Sequence, residues 1–258
     1  VDAAMANDIL FEAVHLVKHF GALAAVDDVN LQIRAQTLHA IIGPNGAGKT
    51  TLFNLLSGTL KPTSGKVFYK GKDITGKPAY QFIHHGIGRS YQITNIFPNL
   101  TVYENIRLAS QAMEKGNFKL LMDASRMTRC EERTLEVLAK VGLTEKAMLP
   151  ARTLPHGDQR KLELGMILAP DPEVLLLDEP TAGMASEQVP DLIKLIREIQ
   201  KEGTKTVILV EHNMNVVMSI SDTITVMNLG KKLAEGSPAE ITKNKEVQTA
   251  YLGGLYEL

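Results

Sequence analysis

Gly43-Pro44-Asn45-Gly46-Ala47-Gly48-Lys49-Thr50 is the stretch on which the fold turns. It fits the pattern G-x-x-x-x-G-K-[ST], follows the apolar run Leu38–Ile42 and leads into a helical run, Thr51–Ser57. Strand, glycine-rich loop and helix in that order make a phosphate cradle. The glycines let backbone N–H groups close around phosphate oxygens, and the helix N-terminus adds a favourable dipole. Lys49 would reach the β- and γ-phosphates, and the Thr50 hydroxyl would meet Mg²⁺. Gly43, Asn45, Gly46, Ala47, Gly48, Lys49, Thr50 and Thr51 are therefore the candidate nucleotide-binding residues of this loop. The competing reading is a glycine-rich turn that matches by accident, and the flanking strand and helix weigh against it.

Further along, Val174-Leu175-Leu176-Leu177 ends in Asp178-Glu179. A buried strand that emits two acids at its C-terminal edge delivers them where open α/β sheets bind ligands. Asp178 is the candidate Mg²⁺ holder and Glu179 the candidate polariser of the attacking water. Thr206–Val210 and Thr223–Met227 read as further buried strands, each giving way to polar or glycine residues. Val189, Leu192, Ile193, Ile196 and Ile199 recur at helical steps and predict an amphipathic helix on the sheet.

Apolar strands alternating with helical periods predict an α/β fold with a mostly parallel sheet. Val29, Leu31 and Ile33 alternate with polar residues, and Lys66–Tyr69 and Lys72–Ile74 flank a Lys-Gly turn, so an antiparallel β patch should accompany it. From Ile93 to Leu168 the character becomes helical. Runs at Val102–Ala112 and Glu131–Val141, the latter with Leu135, Leu138 and Val141 on one face, predict an inserted helical lobe. The polar, basic piece Glu114–Arg133 has no readable function.

Composition narrows the class. The 258 residues carry 28 Lys and Arg against 29 Asp and Glu, for a net charge of −1. That balance argues against a chain whose main task is gripping nucleic-acid phosphate, which needs clustered cations. A lone Cys130 cannot form an internal disulfide. No window approaches the roughly 18 consecutive apolar residues of a membrane span, and the first residues lack a leader pattern, so the chain is expected in the cytosol. A guanine-reading N-K-x-D is not matched, since the nearest string, Asn244-Lys245-Glu246-Val247, lacks the final Asp.

Taken in order, these motifs resemble the nucleotide-binding subunits of ATP-binding cassette (ABC) transporters over nearly the whole chain. The resemblance implies a P-loop NTPase (RecA-like) core with an antiparallel β subdomain and an inserted helical lobe. It divides the chain into an ATP-binding core at 1–92 and 169–240, a helical subdomain at 93–168 and a tail at 241–258. It implies ATP and Mg²⁺ as ligands, with Gln92 contacting the metal and the attacking water, and His212 of Glu211-His212 sensing the γ-phosphate. Phe20 stands where the family stacks an aromatic on adenine, a task that needs only a π face.

Leu154-Pro155-His156-Gly157-Asp158-Gln159 stands where the family signature caps the ATP of a partner subunit. Pro155, His156, Gly157, Asp158 and Gln159 are thus the residues offered in trans. Pro155 has neither the hydroxyl nor the N–H of the family serine, and Ala185 replaces an aspartate common in the family. Both changes weaken the expected interface and point to a subunit that shares two unequal sites with another ATPase; the alternative is a branch of the family that builds the interface differently.

Within the family, Gly86–Gln92, the long lobe insertion, Gly157–Glu163 and the tail Val247–Gly253 look most like the first ATPase subunit of branched-chain amino acid, amide and urea importers. A lipopolysaccharide-export ATPase shares the tail and is the alternative. A nucleic-acid ABC ATPase is the alternative of another class. The importer reading implies a second ABC ATPase subunit (hetero- or homodimer), transmembrane permease subunits, indirectly a solute-binding protein, and no nucleic acid. It places the chain on the cytoplasmic face of the inner (plasma) membrane, bound to membrane only through those partners.

Overall fold

Leu38–Ile42 is buried at all its positions, as are Val174–Asp178 and Thr206–Val210. Parallel strands covered on both faces require such runs. In a computed structural model describing residues 9–90, 96–111 and 124–252, these three become β3, β7 and β8.

They belong to a six-stranded sheet that also holds β6 (Ile87–Arg89), β9 (Thr223–Asn228) and β10 (Lys231–Gly236). The order is β10-β9-β3-β8-β7-β6, with β10 antiparallel to β9 and the other pairings parallel. A second, antiparallel sheet runs β2-β1-β4-β5, from β1 (Ile9–Phe20), β2 (Leu23–Arg34), β4 (Ser64–Tyr69) and β5 (Lys72–Asp73). The expected β patch is present. Its longest member, β1, is broken by irregular register and by His15 at φ 48°, which blurs the alternation that marks a strand.

Helix α1 (Lys49–Leu56) lies between the sheets, with Leu52, Phe53, Leu55 and Leu56 buried. A short α2 (Ala79–Phe82) precedes β6. Successive sheet residues serve opposite cores. Ile208 and Val210 join the core of α1 and the antiparallel sheet, whereas Val207 and Leu209 join a helical core. That helical core is closed by α3 (Val102–Gln111), α4 (Ala124–Lys140), α5 (His156–Leu168), α6 (Val189–Lys201) and α7 (Met214–Ile220).

Local signals set several of these ends. Thr101 and Glu104 exchange hydrogen bonds across the start of α3, a capping box. Asn213 caps α7 by accepting from Asn215 and Val216 N–H groups. Arg133 of α4 donates to the Leu168 and Ala169 carbonyls at the end of α5, at 2.7 and 3.2 Å. On α4 the buried stripe is Cys130, Thr134, Val137 and Leu138, followed by Val141, while Leu135 is 55 % exposed. The expectation that Leu135 faces inward is corrected: it stands about 60° around the helix from Leu138, just outside that stripe and open to solvent.

Helices α8 (Pro238–Lys243) and α9 (Lys245–Leu252) end the described chain. Ile241, Val247 and Tyr251 pack on one face of β3 and β9 around Ala40, Ile42 and Val226.

Candidate nucleotide site

The C-terminal ends of β3, β7 and β8 adjoin, and each emits one part of the site. After β3 the chain forms the loop Gly43–Gly48, with Lys49 and Thr50 in the first turn of α1. Gly43 and Gly48 both have positive φ, and a Cβ at either would collide with a backbone carbonyl, of Met227 and Ala25 respectively. Glycine is therefore required at both by close approach as well as by conformation. The loop is tied to the sheet edge by the Gly230 N–H donating to the Ala47 carbonyl at 3.0 Å.

Lys49 is 5 % exposed and folds back onto the loop, its Nζ donating to the Gly43 and Pro44 carbonyls at 2.8 and 3.0 Å. Burial holds its pKa below the usual lysine value, and the Glu179 carboxylate opposes that shift. An ammonium held by backbone carbonyl oxygens is poised for a stronger acceptor, such as phosphate.

A groove of about 400 Å³ runs from this loop to Phe20, lined also by Leu23, Ala24, Ala25, Thr51 and Leu229. Phe20 is 48 % exposed, with the Lys18 ammonium 5.2 Å from its ring centroid. It is a surface aromatic beside the loop, not a core residue. A larger groove of about 860 Å³ lies between α6 and α7. The Phe20 groove is the chemical candidate, because it has the glycine loop and the helix N-terminus on its wall.

At the end of β7, Asp178 is 4 % exposed, and burial pushes its carboxyl above the usual aspartate range. Arg89 and His212 oppose that rise, and Glu179 adds to it. The Arg89 guanidinium stands 3.8 Å from Asp178, donates to Asn54 and Thr59 at 2.6 Å, and lies 5.0 Å from the Phe53 ring centroid. Ser90 accepts from the Asp178 N–H at 2.9 Å. Arg89-Ser90 therefore braces Asp178 from β6, a role with no local signature in the sequence.

Glu179 has φ 47°, a left-handed conformation uncommon outside glycine that turns the chain sharply off the sheet. Its Oε1 lies 2.7 Å from His212 Nε2, across the gap between β7 and β8. Glu179, Asp178 and His212 are thus brought together beside Lys49. Gln92 lies outside the described residues.

The signature segment starts α5, well away from this cluster in the sequence. Pro155 is its N-cap and has no side-chain cap bond. Pro155 and His156 are exposed, whereas Gly157 is buried, where a Cβ would crowd the Gln188 side chain. Asp158 pairs with Lys146, and Gln159 donates to the Leu154 carbonyl at 2.9 Å. Ala185 is exposed, on the loop whose Gly183 comes close to His156 at this helix start.

A family model described as "ABC transporter" matches residues 26–182, from β2 through the loop after Glu179. The chain belongs to the ABC transporter family. Its last stretch, 231–256, matches a second model, "Branched-chain amino acid ATP-binding cassette transporter". The cassette is 40 % identical to the high-affinity branched-chain amino acid transport ATP-binding protein LivG of Escherichia coli strain K12, over 92 % of this chain and 95 % of that one. It is also 40 % identical to BraF, a protein of the same description from Pseudomonas aeruginosa, over 95 % and 98 %. Among solved structures, an ATP-binding cassette of an ABC transporter in its ADP conformation superposes with TM-score 0.82 at 28 % identity, covering 95 % of this chain and 99 % of that one. The cassette has the α/β P-loop architecture expected, and its family activity is ATP hydrolysis. Among the described residues no helix is long and apolar enough to cross a membrane.

Proposed function

We propose that this chain is the ATP-hydrolysing subunit of an importer for branched-chain amino acids or related amino acids and amides. The 2.7 Å contact of Glu179 with His212 beside the phosphate loop supports hydrolysis. The cargo rests on the relatives named for branched-chain amino acid transport and on the match at 231–256.

In this reading adenine lies on the exposed face of Phe20, and the phosphates enter the Gly43–Thr50 cradle. Lys49 exchanges the Gly43 and Pro44 carbonyls for β- and γ-phosphate oxygens. Asp178, Thr50 and Gln92 would hold Mg²⁺, which when bound neutralises phosphate charge. Carboxylate, hydroxyl and amide oxygens suit a hard cation, and a cation would relieve the burial that disfavours the Asp178 charge. Glu179 accepts the proton of the attacking water, and His212 turns from Glu179 to the γ-phosphate.

Residues 1–92 and 169–240 then serve as the ATP-binding core, 93–168 as the lobe that meets the permease subunits, and 241–258 as the tail. A second ABC ATPase subunit closes the site, with Pro155–Gln159 lent to its ATP. The complex sits on the cytoplasmic face of the inner membrane through protein contacts, fed by a solute-binding protein. The test is uptake by vesicles holding this chain, its permease subunits, its partner ATPase and the solute-binding protein. ATP-dependent accumulation of leucine, isoleucine or valine, or of a related amino acid or amide, is expected; ATP hydrolysis without uptake of any amino acid or amide would overturn the cargo assignment.

A further inference from the structure

Asp178 pairs with Val210 in the ladder between β7 and β8, so Glu179 and Glu211 leave the sheet side by side. Their carboxylates have different fates. Glu179 reaches His212, whereas Glu211 is 3 % exposed and turns to backbone. Glu211 Oε1 accepts from the Thr181 N–H at 3.2 Å and from the Thr181 hydroxyl. Its Oε2 accepts from the N–H groups of His212 and Asn213, at 2.8 and 3.1 Å. One oxygen holds the loop that follows Glu179, and the other holds the loop that carries His212.

Four donors occupy the acceptor positions of one carboxylate. The group therefore has nothing left to offer a phosphate or a water. Burying a carboxylate is costly unless such bonds are complete, so the arrangement resists losing either loop. A hydroxyl or an amide at this position could not accept from both loops twice.

We propose that Glu211 is a positioning residue for ATP hydrolysis: it clamps the two loops so that Glu179 and His212 keep the spacing at which both reach the γ-phosphate and its attacking water. This rests on the assignment of Glu179 and His212 to hydrolysis. The sequence places Glu211 beside His212 but gives it no part, because its partner Thr181 lies thirty positions away.

The test compares Glu211→Gln with the native full chain. An amide has one acceptor oxygen, so its NH₂ group would face two of the four donors and release one loop. Turnover should fall by about tenfold to a hundredfold, the loss expected of hydrogen bonds to a charged group. The KM for ATP should stay within about twofold, because the cradle is untouched. In the ATP-free chain labelled with ¹⁵N-histidine, the His212 imidazole signals should move toward those of Glu179→Gln, in which the pair itself is altered. Thr181→Val removes only the hydroxyl contact; it should give a smaller fall in turnover, and one that does not add to that of Glu211→Gln.

Native turnover with unmoved His212 signals in Glu211→Gln would overturn the proposal, as would a KM that rises in step with the fall in turnover. If Glu211→Gln does not fold, Thr181→Val is read by the same two signals, and native behaviour there overturns it. Glu179→Gln and His212→Ala separate the two levels: if they keep hydrolysis, the site assignment fails, and if they lose it while Glu211→Gln does not, only the clamp fails.

Discussion

The phosphate loop and the signature segment are both helix starts, at α1 and α5, yet they treat their polar groups in opposite ways. At α1, Lys49 is held by two carbonyls that phosphate can replace, beside Asp178, Glu179 and His212. At α5, Asp158 is paired with Lys146, Gln159 is turned to its own backbone and Gly157 is covered by Gln188, which leaves Pro155 and His156 outward. One start is arranged for a ligand from solution. The other has satisfied most of its polar groups within the chain, so what it can lend to a partner is reduced to a helix dipole, an imidazole and a proline ring.

The difference is broken most severely at Lys49. Lys49→Ala removes the cation that leaves its carbonyls for phosphate, and ATP affinity in equilibrium titration should fall on the order of a hundredfold, the loss of about two charge-assisted hydrogen bonds. Unchanged affinity would mean the loop does not hold the phosphates.

Acid should strike the phosphate-loop half through its supporting strand. His39 on β3 is 2 % exposed and bonded to Thr225 at 2.8 Å, and burial lowers its pKa from 6.5 to about 4, with Glu235 opposing and Lys232 assisting. The unfolded chain binds a proton at this residue below pH 6.5, and the folded chain resists doing so until about pH 4. Its contribution to stability is therefore complete above pH 6.5 and declines as pH falls between those values, by about 3 kcal/mol. Urea unfolding at pH 7 and pH 4.5 should show most of that loss, and His39→Gln should flatten it.

The smallest effect belongs to the signature start. Pro155→Ser restores a hydroxyl at the N-cap of α5 and should raise dimer affinity in ATP, or turnover of the assembled transporter, by up to about tenfold, the worth of one charge-assisted bond. No change in either would show that this cassette builds its interface without the serine.

What could be read from sequence follows from how local each signal is. The phosphate loop, β7 with its two acids and the strand before His212 are contiguous in the chain, and their chemistry is visible in neighbouring residues. Helix α6 was equally legible, because its apolar period repeats over three turns. Strand β10 was not, since Lys231–Gly236 is a polar edge strand that pairs on one side only. Strand β6 has three residues, too few to show a period. Arg89, Ser90 and Glu211 were missed for another reason: each acts on a partner in a different element, and that proximity exists only once the sheet is ordered β8-β7-β6.

In the proposed function, the cluster at the ends of β3, β7 and β8 hydrolyses ATP, with Glu179 acting on the attacking water. The direct measurement is ATP binding and turnover of Glu179→Gln beside the native chain. ATP affinity kept near the native value, with turnover reduced by about a hundredfold or more, is the expected result. Turnover close to native would contradict it and remove Glu179 from the chemistry.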